Sequence, residues 1–153
     1  MKSHAVGAPD HHGRAELAAW EREVVKLAAP VGRAMFALIF LLSAPKHFSH
    51  QVIAYAASAG VPYAALLVPA SGILALVGGL SVLLGYRARL GALLLVLFLV
   101  PVTLMMHRFW SLTDPMMIQM QMAMFMKNVA MLGGALLVLH FGAGAVSFDA
   151  VRR

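Results

Sequence analysis

The sequence predicts an all-α membrane protein: a four-helix bundle with an N-terminal amphipathic helix and a short interfacial helix after the first span. Three observations predict it. Of the 153 residues, 61% are hydrophobic and 12% charged, and the mean hydropathy is +0.83, well outside the range of soluble domains. The apolar residues gather into four runs near the roughly 20 residues needed to cross a hydrocarbon core. The basic residues sit in short stretches beside those runs, so the formal charge of +6 reads as a topology signal rather than a nucleic-acid surface.

The elements follow in order. Residues 1–14, with His4, His11 and His12 among Gly and Pro, read as a disordered polar tail. Residues 15–29 form an amphipathic interfacial helix. Leu17, Trp20, Val24 and Leu27 recur at helical spacing, and Glu16, Glu21, Arg22, Glu23 and Lys26 cover the other face. The acidic residues argue against a secretory signal. Residues 30–149 make up the four-span membrane domain, with a basic tail at 150–153.

Pro30 suits a helix start, and residues 31–44 form a first span ending near Pro45. Residues 48–60 are uncharged but hold His50 and Gln51, and they end in the turn signal Gly60-Val61-Pro62. This is a short interfacial or re-entrant helix. Residues 63–84 form the clearest span, with Gly72, Gly78 and Gly79 placed to let backbones approach. A tight basic loop at 85–89 leads to a third span, 90–106, which Pro101 is expected to kink. His107, Arg108, Phe109 and Trp110 mark its exit, and the fourth helix runs over 116–141.

Lys2, Arg14, Arg22, Lys26, Arg33, Arg87, Arg89, Arg152 and Arg153 fall on one side of this arrangement. Lys46, Arg108 and Lys127 fall on the other. Nine against three places both termini in the cytoplasm.

The candidate chemistry lies at the opposite, outer end. There the topology gathers Lys46, His47 and His50 after the first span, His107 and Arg108 after the third, and Lys127 and Asn128 in the fourth. An intramembrane lysine requires a cavity, a counter-charge or the bundle interior, or else it snorkels to the interface as an anchor. Both readings of Lys127 stand. A basic, histidine-bearing vestibule suits an anionic or quinone-like ligand, while solvation of helix ends accounts for the same histidines. Gln121 and Asn128 share a helix face, as a polar stripe or as packing glue.

Nine of the eleven methionines lie between Met105 and Met131, with Met116, Met120 and Met124 at four-residue spacing. With His107 they offer a path for Cu(I), or simply helix filler. The absence of cysteine removes disulfides and thiol chemistry. All six acidic residues lie outside the apolar cores, which disfavours proton coupling through a membrane carboxylate. Phosphate loops, zinc signatures and serine triads are likewise missing, and no metal site is assigned.

The order of features from residue 31 to residue 149 resembles the DoxX family of small four-helix bacterial membrane proteins. The resemblance rests on Arg33 at the start of the first span and Lys46 after its end, and on Leu76-Val77-Gly78-Gly79 leading to Gly85 and Arg87-Ala88-Arg89. It continues through His107 with Phe109-Trp110, Lys127-Asn128 before Leu132-Gly133-Gly134, and Gly142-Ala143-Gly144 before Ser147 and Asp149. Ala75 stands where many members of that family carry an acid. The resemblance implies a multi-pass protein of the bacterial cytoplasmic membrane that supports a respiratory or sulfur redox assembly. It also implies a polar pocket, for a quinone or small anion, drawn from Arg33, Lys46, His107, Lys127 and Asn128. The alternatives are a quinone-reducing catalytic subunit of thiosulfate:quinone oxidoreductase type, or a small-solute or Cu(I) transporter. Whether the chain is an enzyme stays open. The expected partners are the bilayer and either another protein or further copies of the chain, with no nucleic acid; the expected cofactor, if any, is a quinone.

Overall fold

The computed structural model describes residues 11–152, with side chains from Trp20 onward. It is helical throughout, and four of its helices are long and apolar enough to cross a membrane. The chain is therefore a multi-pass membrane bundle. Helix α1 spans His11–Ser43, α2 His50–Ser58, α3 Ala64–Leu84, α4 Ala88–Met106, α5 Pro115–Phe141 and α6 Phe148–Val151.

The first of these differs from the sequence expectation. Instead of two helices meeting at Pro30, α1 is one helix of 33 residues with Pro30 inside it. A proline removes one ladder hydrogen bond but need not end a helix where a membrane span continues it. Residues 20–29 are all exposed, and the helix packs on the rest of the chain from Ala29, which backs onto Gly144, onward. The expected polar tail lies outside the described residues up to residue 10, and residues 11–14 belong to α1. Arg153 of the basic tail is also outside them.

The connections are fixed by local chemistry. A short 3₁₀ turn, Ala44–Phe48, bends the chain away from α1, and Ser49 caps α2 by accepting from the Val52 N–H. Gly85, at φ 64°, ends α3 in the left-handed region that glycine tolerates. Asp149 then reaches back from the C-terminal segment to start α4. Its carboxylate accepts from the N–H groups of Arg87 and Ala88 at 2.7 and 2.9 Å. Asp114 caps α5 by accepting from the Met117 N–H at 2.8 Å, with Pro115 in the first turn.

Helix α3 is the hub, packed on α1, α2 and α4, while α5 packs on α4. Phe40, Ala44, Ala75, Val82, Ala92, Leu95, Phe98, Leu99 and Ala135 form the buried core. Small residues bring α3 and α4 together: a Cβ at Gly78 would lie 2.9 Å from the Gly91 carbonyl oxygen. No extensive contact closes α1 against α5. The two meet where Gly134 backs onto the Phe36 ring, and toward the end of the bundle opposite the chain termini, called the outer end for its expected orientation, they leave an open seam. Only 11% of the apolar stretch of α5 is buried, against 33% in α3 and α4, so α5 is the least covered span.

Candidate functional site

At the outer end, the 3₁₀ turn after α1 turns His47 inward while α4 stops at His107. Gly72 allows the first of these, since a Cβ there would lie 2.7 Å from the His47 Cβ. His47 Nδ1 lies 3.1 Å from the Ser43 carbonyl oxygen, and His107 Nδ1 lies 2.8 Å from Gln121 Oε1. Both partners accept, so each ring carries its proton on Nδ1 and turns Nε2 elsewhere. The His47 ring meets Phe98 edge to face, with centroids 5.6 Å apart.

Two cavities lie on either side of this histidine pair. The larger, about 420 Å³, lies open on one side between α2, α3 and α4, with Tyr55, Val68, Leu74, Phe98 and Met105 among its walls. Its polar lining is confined to Ser71, Tyr55, His47 and His107. The smaller, about 170 Å³, occupies the seam between α1 and α5, where Ser43, Lys127 and Asn128 join Ile39, Phe40 and Met131. His47, Phe98, Val102 and His107 line both cavities and form the wall between them. Arg108 holds the outer helix in place by donating to the Ala59 carbonyl.

Lys127 lies 12 residues into the 27-residue helix α5, about 18 Å along its axis. Placing a lysine near the centre of a span costs roughly 2.5–3.5 kcal/mol on insertion scales. Its Nζ contacts Met124 Sδ at 3.4 Å, one turn toward the outer end. An ion pair joins Lys26 and Glu23 at the far end of α1, and among the described residues none joins Lys127 to a carboxylate.

The expected pocket of five residues is therefore only partly assembled. His107, Lys127 and Asn128 share the small cavity, and His47 joins them. Arg33 does not: it sits at the opposite end of the bundle, donating to the Ala143 and Val146 carbonyls at 2.6 and 2.7 Å. A residue at the start of the first span is a full membrane thickness from the outer end. Lys46 is exposed and lines neither cavity. His50, on α2, lines neither as well. Met116, Met120 and Met124 are exposed and none lines a cavity that His107 lines, whereas Met105, Met106 and Met131 do line the cavities beside it. No group of three His, Cys, Asp or Glu residues gathers as metal ligands among the described residues. Sequence reasoning missed the large chamber, because its walls are ordinary apolar residues. Ser71, one of the two serines in the apolar α3, was the available signal.

Comparison of the chain with family models gives a match to the SURF4 family over residues 61–153, which covers α3, α4, α5 and the C-terminal segment. Curated proteins and solved structures gave no match. The match is to a different family from DoxX, and it overturns that resemblance together with the redox and quinone readings drawn from it. Several of the residues that carried the resemblance have general structural tasks in this bundle. Gly78 sits at a helix contact, Gly85 ends a helix, and Asp149 and Ser147 cap helix starts.

Proposed function

The chain belongs to the SURF4 family, and on that premise we propose that it is a membrane binding protein for a lipophilic molecule, held in the 420 Å³ chamber between α2, α3 and α4. The chamber itself carries the reading: its size is that of a small-molecule site, and its lining is apolar with a few convergent polar groups. A ligand taken from the lipid would keep its hydrocarbon part against Val68, Leu74, Phe98 and Met105. One hydrogen-bonding group would meet the histidine end. With their Nδ1 atoms engaged by Ser43 and Gln121, His47 and His107 have Nε2 left for a hydrogen bond with a hydroxyl or amide of the ligand. The excess of Lys and Arg at the other end supports an orientation with both termini cytoplasmic and the chamber in the outer half of the bilayer.

Leu74→Trp is the direct test, because the indole fills the chamber from α3. Lipophilic molecules extracted from the purified parent should include a species depleted at least tenfold in the variant, with the helical circular dichroism of both proteins unchanged. Identical extracts would refute the proposal.

A further inference from the structure

The structure assigns a second site, separate from the chamber: the seam between α1 and α5 receives the carboxylate of a single-chain amphiphilic acid, with Lys127 and Asn128 as its donors. Three independent observations converge there. Lys127 lies within a span with its side chain exposed, its Nζ contacts the Met124 thioether, and no ion pair joins it to a carboxylate among the described residues. Asn128, on the adjacent position of α5, is 4% exposed and lines the same small cavity. An amide at the wall of a cavity beside an intramembrane lysine without a carboxylate is a polar site with room for an anion. The seam itself is open, because α1 and α5 touch at Phe36 and Gly134 but do not close beyond them.

The ligand class follows from charge, shape and depth. One ammonium and one amide N–H₂ match the two oxygens of a carboxylate. Lys127 lies six residues deeper than Gln121, the partner of His107 at the end of α4, or about 9 Å inside that level. A diacyl phospholipid would have to draw its glycerol below the interface to reach it. A single chain with a small head can enter the seam from the lipid, its hydrocarbon continuing inward along exposed apolar side chains of α5 such as Val129, Leu136 and Leu137.

The experiment uses the full chain in nanodiscs of neutral lipid, with tritiated hexadecanoate as the probe and hexadecanol and hexadecyl phosphate as competitors. Hexadecanoate should bind saturably, and hexadecanol should compete at least tenfold more weakly. Hexadecyl phosphate competing as well as the acid would replace the carboxylate assignment with a phosphate one and so overturn it as stated. Lys127→Met should weaken binding at least tenfold, and Lys127→Arg should retain most of it. Ser43→Asp places an internal carboxylate across the cavity from Lys127 and should abolish binding without impairing insertion, which keeps the test decisive if the methionine variant misfolds. Leu74→Trp should leave hexadecanoate binding intact, so failure of the chamber and failure of the seam are told apart. Unchanged binding in both Lys127→Met and Ser43→Asp, or equal competition by hexadecanol, would overturn the site.

Discussion

Arg33 and Lys127 are both cations within apolar helices, and the structure gives them opposite circumstances. Arg33 is 7% exposed and uses its planar fork on two carbonyls of the C-terminal segment. Hydrogen bonds from a charged donor contribute roughly 1.5–3 kcal/mol each. Arg33→Met should therefore lower stability by roughly 2–4 kcal/mol in a detergent unfolding titration, and Arg33→Lys should recover less than half, because a point charge cannot span both acceptors. Tyr86, in the loop after α3, differs again. A hydrogen bond from Arg152, and then the charges of Arg152 and Arg87, hold its pKa below the usual 10.0. A folded-state pKa below the unfolded one adds stability only at alkaline pH, above the unfolded value, and that gain is lost as pH falls through the folded pKa. Tyr86→Phe should be neutral at pH 7 and less stable than the parent only in the alkaline range, while an ultraviolet titration of the parent shows this phenol ionising early. Of these roles, the sequence made Lys127 legible through its place in an apolar run. It did not reveal that Arg33 is occupied, because both acceptors are backbone atoms more than a hundred residues away.

Among the elements, helix pairing depends on which glycines face a neighbour. Gly78 and Gly133 look alike in the sequence, each one of a pair of glycines within a span. A Cβ at Gly78 would press within 2.9 Å of the Gly91 carbonyl, whereas one at Gly133 meets nothing within 4 Å. Gly78→Val should cost roughly 1–3 kcal/mol by forcing α3 from α4, and Gly133→Val should stay within about 0.5 kcal/mol of the parent. Equal costs for the two would contradict the packing. Helix α4 depends on a different device, since its first N–H groups are capped by a carboxylate from the end of the chain. Asp149→Ala should cost roughly 0.5–2 kcal/mol and speed hydrogen exchange at Arg87 and Ala88. The spans themselves were legible, because length, hydropathy and the turn residues at Gly60, Gly85 and Gly142 agree with one another. The continuity of α1 through Pro30 was not, since a proline reads locally as a boundary whether or not the helix runs on.

For the molecule as a whole, four antiparallel spans put residues 58 and 152 on opposite faces of the membrane. The chain has no cysteine, so single replacements report sidedness without background. A membrane-impermeant maleimide should label Ser58→Cys in intact cells and Arg152→Cys only after permeabilisation; the reverse pattern would invert the orientation. The outer assembly of His47, His107, Lys127 and Asn128 was partly foreseeable, because topology alone sends α4 and α5 to a common end. Its division into two cavities was not, because that depends on how Phe98 and Val102 fill the space between the histidines.

The unclosed side of the bundle has a consequence for how affinity must be expressed. A guest that arrives between α1 and α5 comes from the hydrocarbon phase, so it meets the protein by two-dimensional diffusion and never equilibrates directly with water. Occupancy then follows the mole fraction of guest in the bilayer. Doubling the lipid at fixed total guest should halve the apparent affinity, while the affinity per lipid molecule stays constant.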